Sequence, residues 1–548
     1  MGRPTTSTLA PRRLLPAAWL ALGLTLAAGL GGCLVGPDYA TQEVDVNESW
    51  LEKDEAVSTE PEENIEWWKE FEDPVLDQLV EKAYSSNLTL RQAAVRVIQA
   101  MAARGIAVGD LFPQTQEIGG SFERSKLSEN PEPPQRYNKS WGIGFDAAWE
   151  LDVWGRFRRS IESADAELDA SLASYDDVMV SLVAEVAATY VDIRTLQVLV
   201  RIARDNVKIQ EDSLRIAESR VRHGQTSELD VVDAKSALEQ TRAEVPALHA
   251  ALRQAGYRMA FLLGSEPRDL LGPLGDPQQI PGPPTEIAVG IPADLLRRRP
   301  DIRVAERLAA AQSARIGVAQ ADLYPAFFLS GSLGLRSDST GSLFDSESWT
   351  GSIKPGFSWP ILNYGRLKNN VRVQDAAFQA AVLEYENTVL AAAQEVESSL
   401  AVFVGTQEQV THLAKSVEAS QRSLELSMIR YREGSSTFTR VLDAQEQLRA
   451  VQQQLASVRG DVAQSAIAVY KALGGGWEVR AGIDILPDET RAEMAERTDW
   501  GEMLEPEYVE GKDMLLIPRH DPSSPEGTED DEPNPDEPEL GDPSTEED

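Results

Sequence analysis

The chain has 548 residues, a formal net charge of −37 and a single cysteine. One cysteine excludes an intramolecular disulfide framework and a cysteine-rich metal site. The acidic balance argues against nucleic acid as a partner, because a phosphate backbone is bound by clusters of Lys and Arg. The length exceeds that of one simple core, so several structural units are expected.

The first 32 residues have the pattern of an export signal. A start with three arginines precedes an apolar stretch, residues 14–30, and the small residues Gly31-Gly32 stand directly before the only cysteine, Cys33. This arrangement resembles a bacterial lipoprotein signal, in which cleavage leaves Cys33 as the N-terminus with an S-diacylglycerol and an N-palmitoyl chain. More than one acyl chain is what stable anchoring requires. An ordinary secretory signal with an accidental cysteine remains the alternative.

An internal repeat organises the chain up to about residue 477. "RVRHGQTSELDVVDA" (residues 220–234) aligns with "RYREGSSTFTRVLDA" (residues 430–444), which places Gly224 and Gly434 210 residues apart. Trp149 and Trp359 keep the same offset. Two copies with so long a period indicate duplication of a large supersecondary unit rather than a solenoid.

Each copy contains two segments whose apolar residues alternate with period two, which predicts strands with one apolar face. The predicted strands are about 115–124 and 140–151, then about 326–336 and 349–361. About ten residues per strand suits a tilted membrane strand, whereas a soluble amphipathic hairpin is the alternative. Four strands cannot close a membrane barrel, and lipid does not tolerate an open sheet edge. A barrel must therefore be shared between subunits.

Long helices are predicted after each strand pair, at about 156–263 and 366–473. Residues 157–223 contain neither Gly nor Pro, which corresponds to about 100 Å of continuous helix. Apolar residues recur at three- and four-residue steps, a seam that requires partner helices. Gly224 and Gly434 are predicted to end the first helix of each hairpin, after which a second helix returns.

The acidic C-terminal region differs in composition from the two repeats. Residues 521–548 contain 13 acidic residues and no basic one, with prolines between them, so the tail is predicted to be disordered. The predicted domains are a signal peptide (1–32), an N-terminal lipidated linker (33–65), the first repeat (66–264), an inter-repeat linker (265–296), the second repeat (297–477) and this tail (478–548).

Five stretches carry a family resemblance: "CLVGPDY", "WWKEFEDPVLDQLVEKAYSSN", "WELDVWGR", "RRRPDIRVAERLAAAQSARIGVAQADLYP" and "ALGGGW". With them the chain resembles the TolC-type outer-membrane efflux proteins, in particular their OprM-type (NodT-type) lipoprotein branch. The resemblance implies a mainly α fold with a membrane β-barrel. In a homotrimer, four strands per chain would form a twelve-stranded barrel that continues as an α-helical periplasmic tunnel.

The function implied by the resemblance is conduction rather than catalysis. Such a channel is the outer-membrane exit duct of a tripartite efflux pump, docked through a periplasmic adaptor (membrane fusion) protein to an inner-membrane transporter of the resistance-nodulation-division (RND) type. No cofactor is implied beyond the lipid on Cys33. The exported substrate is not readable from the sequence.

The resemblance also places a gate at the helical turns. Counted from Gly434, Asp443 matches the family's inner aspartate, Tyr431 matches a tyrosine three residues before the glycine, and Asp230 matches its acidic partner. A ring of Asp443 carboxylates would favour cations. Solvated charges at helix ends are the alternative interpretation, and for Asp233 the two interpretations stand equal.

Arg440 departs from the family pattern, because some members carry a second pore aspartate six residues after the turn glycine. Arg440 is expected either to pair with Asp443 or Asp230 and strengthen closure, or to lower the preference for cations. The flanking segments, residues 220–230 and 430–440, are candidates for adaptor contact.

Two other classes of function stay open at this stage. The same architecture serves as a duct for type I protein secretion, and a non-conducting lipoprotein scaffold of periplasmic coiled coils would also contain long helices. The four histidines form no ligand-spaced cluster, which argues against a metalloenzyme.

Overall fold

The computed structural model describes residues 34–58 (apart from 43, 45, 48, 53 and 55), 66–126, 138–267, 279–293, 298–480 and 484–505. The predicted signal peptide and Cys33 lie outside the described residues.

Both repeats contain a short helix, two strands, a long helix and a return helix in that order, and the first repeat has one further helix before them. The two longest helices have 67 residues each and their return helices have 35 residues each. The predicted unit of two strands followed by a long helical hairpin is therefore confirmed in both copies. The elements of the first repeat are α1 (Pro74–Ser86), α2 (Leu88–Gly109), β1 (Thr115–Ser125), β2 (Asn138–Leu151), α3 (Arg156–Arg222) and α4 (Glu228–Leu262). Those of the second repeat are α5 (Pro300–Ala321), β3 (Ala326–Ser337), β4 (Trp349–Ser358), α6 (Arg366–Arg432) and α7 (Phe438–Ala472).

The four strands form one antiparallel sheet in the order β1-β2-β3-β4. Strand β2 pairs with β3, so the central ladder joins the first repeat to the second. Gly144 lies opposite Gly334 in that ladder, and a Cβ on Gly334 would stand 2.5 Å from the carbonyl oxygen of Ile143. Glycine is required there because the two backbones approach so closely.

The strand predicted to reach residue 361 ends at Ser358. Pro360 has no amide hydrogen to donate to a ladder, and the Ile361 amide donates to the Trp359 carbonyl oxygen at 2.9 Å instead. The chain turns at this point toward α6.

The helical hairpins pack side by side in the order α4-α3-α7-α6. Two buried amides join the repeats: Asn206 donates to the Gln452 side chain at 3.1 Å, and Gln445 donates to the Ser213 hydroxyl at 2.5 Å. Helix α5 packs against both long helices, α3 and α6, whereas α2 packs along α3. Among the described residues, no helix is long and apolar enough to cross a membrane.

The largest core lies around the middle of the long helices, where the short helices and connecting segments pack on them. Trp67 is stacked on Tyr470 with ring centroids 5.1 Å apart, and both are almost fully buried. Tyr190 donates to the Asp73 carboxylate at 2.6 Å and accepts from the Arg194 guanidinium at 2.9 Å. These polar pairs satisfy side chains that would otherwise be costly to bury.

The described residues of the N-terminal segment, between 34 and 58, contact this body at several points. The Val35 amide donates to the Trp154 carbonyl oxygen at 3.2 Å, and the buried Arg159 guanidinium donates to the Val35 carbonyl oxygen at 3.2 Å. Farther along, the Trp50 indole donates to the Gly290 carbonyl oxygen. Val57–Ser58 then pairs in parallel with Ile287–Ala288 of the inter-repeat linker, an interaction that was not predicted.

The prediction of disorder from residue 478 onward is wrong for its first part. Asp488–Arg497 is a helix (α8), and four apolar side chains between residues 485 and 504 are buried in the main core. The acidic composition conceals these apolar residues, which bury enough surface to order the segment. They are Ile485, Leu486, Met494 and Leu504. The remainder of the predicted tail, residues 506–548, lies outside the described residues.

Candidate gate at the helical tip

The two turns at the far ends of the helical hairpins have the same backbone. Gly224 and Gly434 have φ values of 69° and 76°, the left-handed region in which glycine avoids a steric cost. The amide of each glycine and that of the next residue donate to carbonyl oxygens of the last helical turn, as in a Schellman motif. Each turn therefore reverses the chain within about five residues and presents the ends of two helices together.

A hydrogen bond joins the two hairpins at the tip. The Tyr431 hydroxyl, near the end of α6, donates to Asp230 Oδ2, in the first turn of α4, at 2.9 Å. The Thr226 hydroxyl donates to the same carboxylate oxygen. Tyr431 and Asp230 belong to different repeats, so this carboxylate connects the ends of the two long hairpins.

The Tyr431 ring is almost fully enclosed, with 2% of its surface exposed. The Phe438 ring packs against it at 5.1 Å, and the Arg220 guanidinium lies 4.6 Å above it. Burial and the hydrogen bond to Asp230 raise the pKa of Tyr431 to about 12, although the positive charge of Arg220 opposes this shift. Tyr431 is therefore a neutral hydrogen-bond donor at any physiological pH.

Arg220 is an unusual component of this cluster. Its Nε and Nη1 atoms are buried without a hydrogen-bond partner among the described residues. The face of the Tyr431 ring is therefore its main favourable contact, a cation–π interaction. A substitution that removes the Tyr431 ring would therefore also remove this contact of the Arg220 guanidinium.

The other predicted gate residues lie close in sequence but do not join this cluster. Arg440 and Asp443 are both exposed on α7, and no described residue forms a side-chain hydrogen bond or ion pair with either of them. Asp233, the repeat equivalent of Asp443, is half-buried on α4. The expected pairing of Arg440 with Asp443 or Asp230 does not occur within one chain.

Asp230 and Arg440 occupy equivalent positions, 210 residues apart, yet carry opposite charges. Each is the third residue of its helix. A carboxylate there is favoured by the helix dipole, whereas a guanidinium is disfavoured. Arg440 is therefore not explained by stability of its own helix.

Sequence reasoning missed three members of the cluster: Thr226, Arg220 and Phe438. Phe438 occupies the position of Glu228 in the first repeat. This replacement of a charged residue by an aromatic one at the start of a helix could have indicated that Phe438 is buried. No comparable difference marks Arg220, because the equivalent position of the second repeat is also an arginine, Arg430.

The opposite end of the molecule presents an exposed apolar sheet face. Ile118, Phe145 and Leu333 lie in one register row and are 82%, 43% and 57% exposed. The other face carries mainly small and polar residues. Large apolar side chains on one face of an exposed sheet indicate contact with an apolar phase or a partner. Those on the neighbouring rows are Phe122, Ile143, Leu329, Trp349, Ile353 and Phe357.

Within the described residues no group of three or more His, Cys, Asp or Glu side chains is arranged to hold a metal ion. The lipidation predicted at Cys33 lies outside the described residues.

The model of a protein family described as "Outer membrane efflux protein" matches residues 79–265 and 291–475, which are the two repeats. The chain belongs to the outer membrane efflux protein family. The predicted family resemblance is thus confirmed.

Individual family members cover most of the chain. Nodulation protein T of Rhizobium leguminosarum bv. trifolii is 32% identical over 462 residues, which is 83% of this chain and 97% of that protein. The toluene efflux pump outer membrane protein TtgF of Pseudomonas putida is 31% identical over 468 residues, 83% of this chain and 97% of that protein. The structure of the outer-membrane channel OprN superposes with a TM-score of 0.77 at 35% identity, covering 81% of this chain and all of that one.

Proposed function

We propose that this protein is the outer-membrane exit channel of a tripartite efflux pump and that it conducts small molecules without a catalytic step. The observation that carries the proposal is the contact between Tyr431 and Asp230. It joins two hairpins whose long helices each have 67 residues, at the end opposite an apolar sheet face. A channel needs one end that faces the membrane and another end that can close. The apolar sheet face would supply the first, and the tip with its Tyr431–Asp230 contact would supply the second.

The functional unit is a homotrimer. Within its described residues, one chain offers a four-stranded sheet whose edge strands are β1 and β4, and a four-helix layer whose outer helices are α4 and α6. Unpaired strand edges are not tolerated in lipid, and a closed barrel removes them. Three copies, twelve strands in all, would pair every edge in the outer membrane while the helices extend into the periplasm.

The partners are a periplasmic adaptor protein and an inner-membrane RND-type transporter. Residues 220–230 and 430–440 contain the two turns at the tip and are the surface most distant from the sheet, so we assign adaptor contact to them. TtgF is described as part of a toluene efflux pump. The channel would export the small molecules that its partner, the inner-membrane transporter, delivers to it.

The gate comprises two functional parts. Tyr431 and Asp230 hold the hairpins together, and Asp443 places a carboxylate on the exposed side of α7. In a trimer three such carboxylates would line one opening and favour cations, as rings of acidic side chains do in channels. Arg440, exposed one helical turn earlier, would reduce that preference.

The lipid anchor belongs at Cys33, two residues before Val35. The Val35 amide is bonded to the Trp154 carbonyl oxygen, where β2 is followed by α3. Acyl chains on Cys33 would therefore enter the membrane at the periplasmic edge of the apolar sheet face. We expect Cys33→Ser to abolish incorporation of labelled palmitate.

The decisive experiment is light scattering of the detergent-extracted particle, corrected for bound detergent, followed by conductance in planar bilayers. A trimer with single-channel currents is the expected result. A stable monomer, or a trimer that carries no current, would overturn the channel function.

A further inference from the structure

The sheet–helix junction of the first repeat is held by the second repeat. Trp154, two residues before α3, is stacked on Tyr324, three residues after α5, with ring centroids 4.7 Å apart and an interplanar angle of 23°. Its indole N–H also donates to the Pro325 carbonyl oxygen at 2.8 Å. This contact connects the start of one long helix to the turn before β3.

The equivalent residue of the second repeat has no such neighbour among the described residues. Tyr364 lies 210 residues after Trp154, two residues before α6, and its side chain is fully exposed at 101%. Its φ is 51°, a left-handed conformation that is uncommon for tyrosine and persists only where surrounding contacts favour it. Among the described residues no ring packs against it.

Phe112 is the first-repeat equivalent of Tyr324. It lies three residues after α2, as Tyr324 does after α5, and it is 52% exposed. A matching pair of hydrogen bonds supports the equivalence. The Trp149 indole donates to the Leu111 carbonyl oxygen and the Trp359 indole donates to the Leu323 carbonyl oxygen, each at 3.0 Å.

The packing of the short helices shows which partner is missing. Helix α5 lies against the long helices of both repeats, whereas α2 lies along α3 and otherwise packs mainly against the short C-terminal turn Gly501–Leu504 among the described residues. The missing neighbour of α2 is a long helix of the second-repeat type. The chain's own α6 is at the far edge of the helical layer, beyond α7, so a second copy must supply it.

We propose that Tyr364 of one copy stacks on Phe112 of the next copy and locks the sheet–helix junction between subunits. This inference rests on the trimer of the proposed function. In the assembled ring, aromatic stacks within a chain (Trp154 on Tyr324) would alternate with stacks between chains (Tyr364 on Phe112). The ring would thus be held at six places just below the membrane.

Paired cysteines test this contact directly. The double variant Phe112→Cys/Tyr364→Cys is treated in membranes with a short bismaleimide and separated under denaturing conditions. We expect covalent dimers and trimers. Each single-cysteine variant should yield none, which also controls for Cys33. The matched internal control, Trp154→Cys/Tyr324→Cys, should cross-link within the chain and give no dimers.

Light scattering on the same preparations separates two kinds of failure. A trimer in which the 154–324 pair reacts and the 112–364 pair does not would overturn the aromatic lock and leave the channel function intact. A monomer would overturn the trimer of the proposed function and the lock with it.

A second measurement uses the heat stability of the trimer in detergent. Tyr364→Ala should lower the temperature at which trimers dissociate, and Tyr364→Phe, which retains the ring, should not. Phe344→Ala removes another aromatic ring, 75% exposed in the loop before β4, and serves as the control. Equal dissociation temperatures for Tyr364→Ala and Phe344→Ala would contradict the proposal.

Discussion

The Tyr431 hydroxyl donates to Asp230 Oδ2 at 2.9 Å, and this hydrogen bond joins the end of the second long helix to the start of the first return helix. The two residues are 201 positions apart in sequence and belong to different repeats. The contact therefore joins the two helical hairpins at the tip of one chain.

Removing the donor should open the tip. Tyr431→Phe keeps the ring beneath Arg220 but deletes the hydrogen bond, whose net value with a charged acceptor is about 1.5–3 kcal/mol. We expect the population of open channels in planar bilayers to rise on the order of tenfold. Tyr257→Phe is the control, because Tyr257 is 53% exposed on α4, far from the tip. Equal currents for the two variants would show that this hydrogen bond does not hold the gate.

The same bond should fail at high pH. The folded-state pKa of Tyr431 is raised to about 12, so its protonated form is favoured by folding. The stabilisation is present below the ordinary tyrosine pKa of about 10 and is lost as the pH rises toward 12. The wild-type minus Tyr431→Phe difference spectrum should show tyrosinate forming near pH 12, and wild-type conductance should increase over the same range. A midpoint near 10 would mean that the ring is solvated.

Asp443 should control ion selectivity. Its carboxylate is exposed and unpaired by described residues, so its charge acts on passing ions rather than on a partner. Asp443→Ala should enlarge the conductance and reduce the cation-to-anion permeability ratio about twofold or more. Asp233→Ala, at the equivalent position of the first repeat, is the matched control. If reversal potentials in a salt gradient are unchanged for Asp443→Ala, Asp443 does not line the pore.

Arg440 should act on selectivity without holding the gate. Its guanidinium forms no ion pair with the described residues and stands at a helix start, where a cation is disfavoured. We expect Arg440→Gln to increase the preference for cations while closed-state leakage stays at the wild-type level. A leak comparable to that of Tyr431→Phe would instead assign Arg440 to closure between subunits.

Truncations should divide the C-terminal region into two parts. A chain ending after Glu505 keeps the four buried apolar side chains, and its trimer should dissociate at the wild-type temperature. A chain ending after Arg480 loses them, at about 1.5–3 kcal/mol for each large apolar side chain, and should dissociate at a lower temperature. Identical thermal stability of both truncations would show that the docked segment contributes nothing.

Several features of the fold could be predicted from the sequence because they depend on residues close together in the chain. Alternating apolar residues require strands with one apolar face, and 67 residues without Gly or Pro favour an uninterrupted helix. Gly224 and Gly434 mark turns because only glycine adopts their backbone conformation without strain. The offset of 210 residues then carries each assignment from one repeat to the other.

Features that depend on contacts between residues far apart in the sequence could not be predicted in this way. The acidic composition after residue 478 predicted disorder, yet four apolar side chains find a core built by residues hundreds of positions away. The parallel pair of Val57–Ser58 with Ile287–Ala288 has no sequence signal, because two residues carry no periodicity.

The sequence by itself determined the duplicated unit, its strands and long helices, and the residues at its turns, because these follow from propensity and period along the chain. Only the tertiary structure decided that Arg220 and Phe438 pack on the Tyr431 ring and that Arg440, the counterpart of Asp230, meets no partner among the described residues. The physical reason for this difference is that the two repeats are similar in sequence but contact different neighbours in the folded chain. One interface of each repeat lies within the chain and the other faces outward, so equivalent positions acquire different partners.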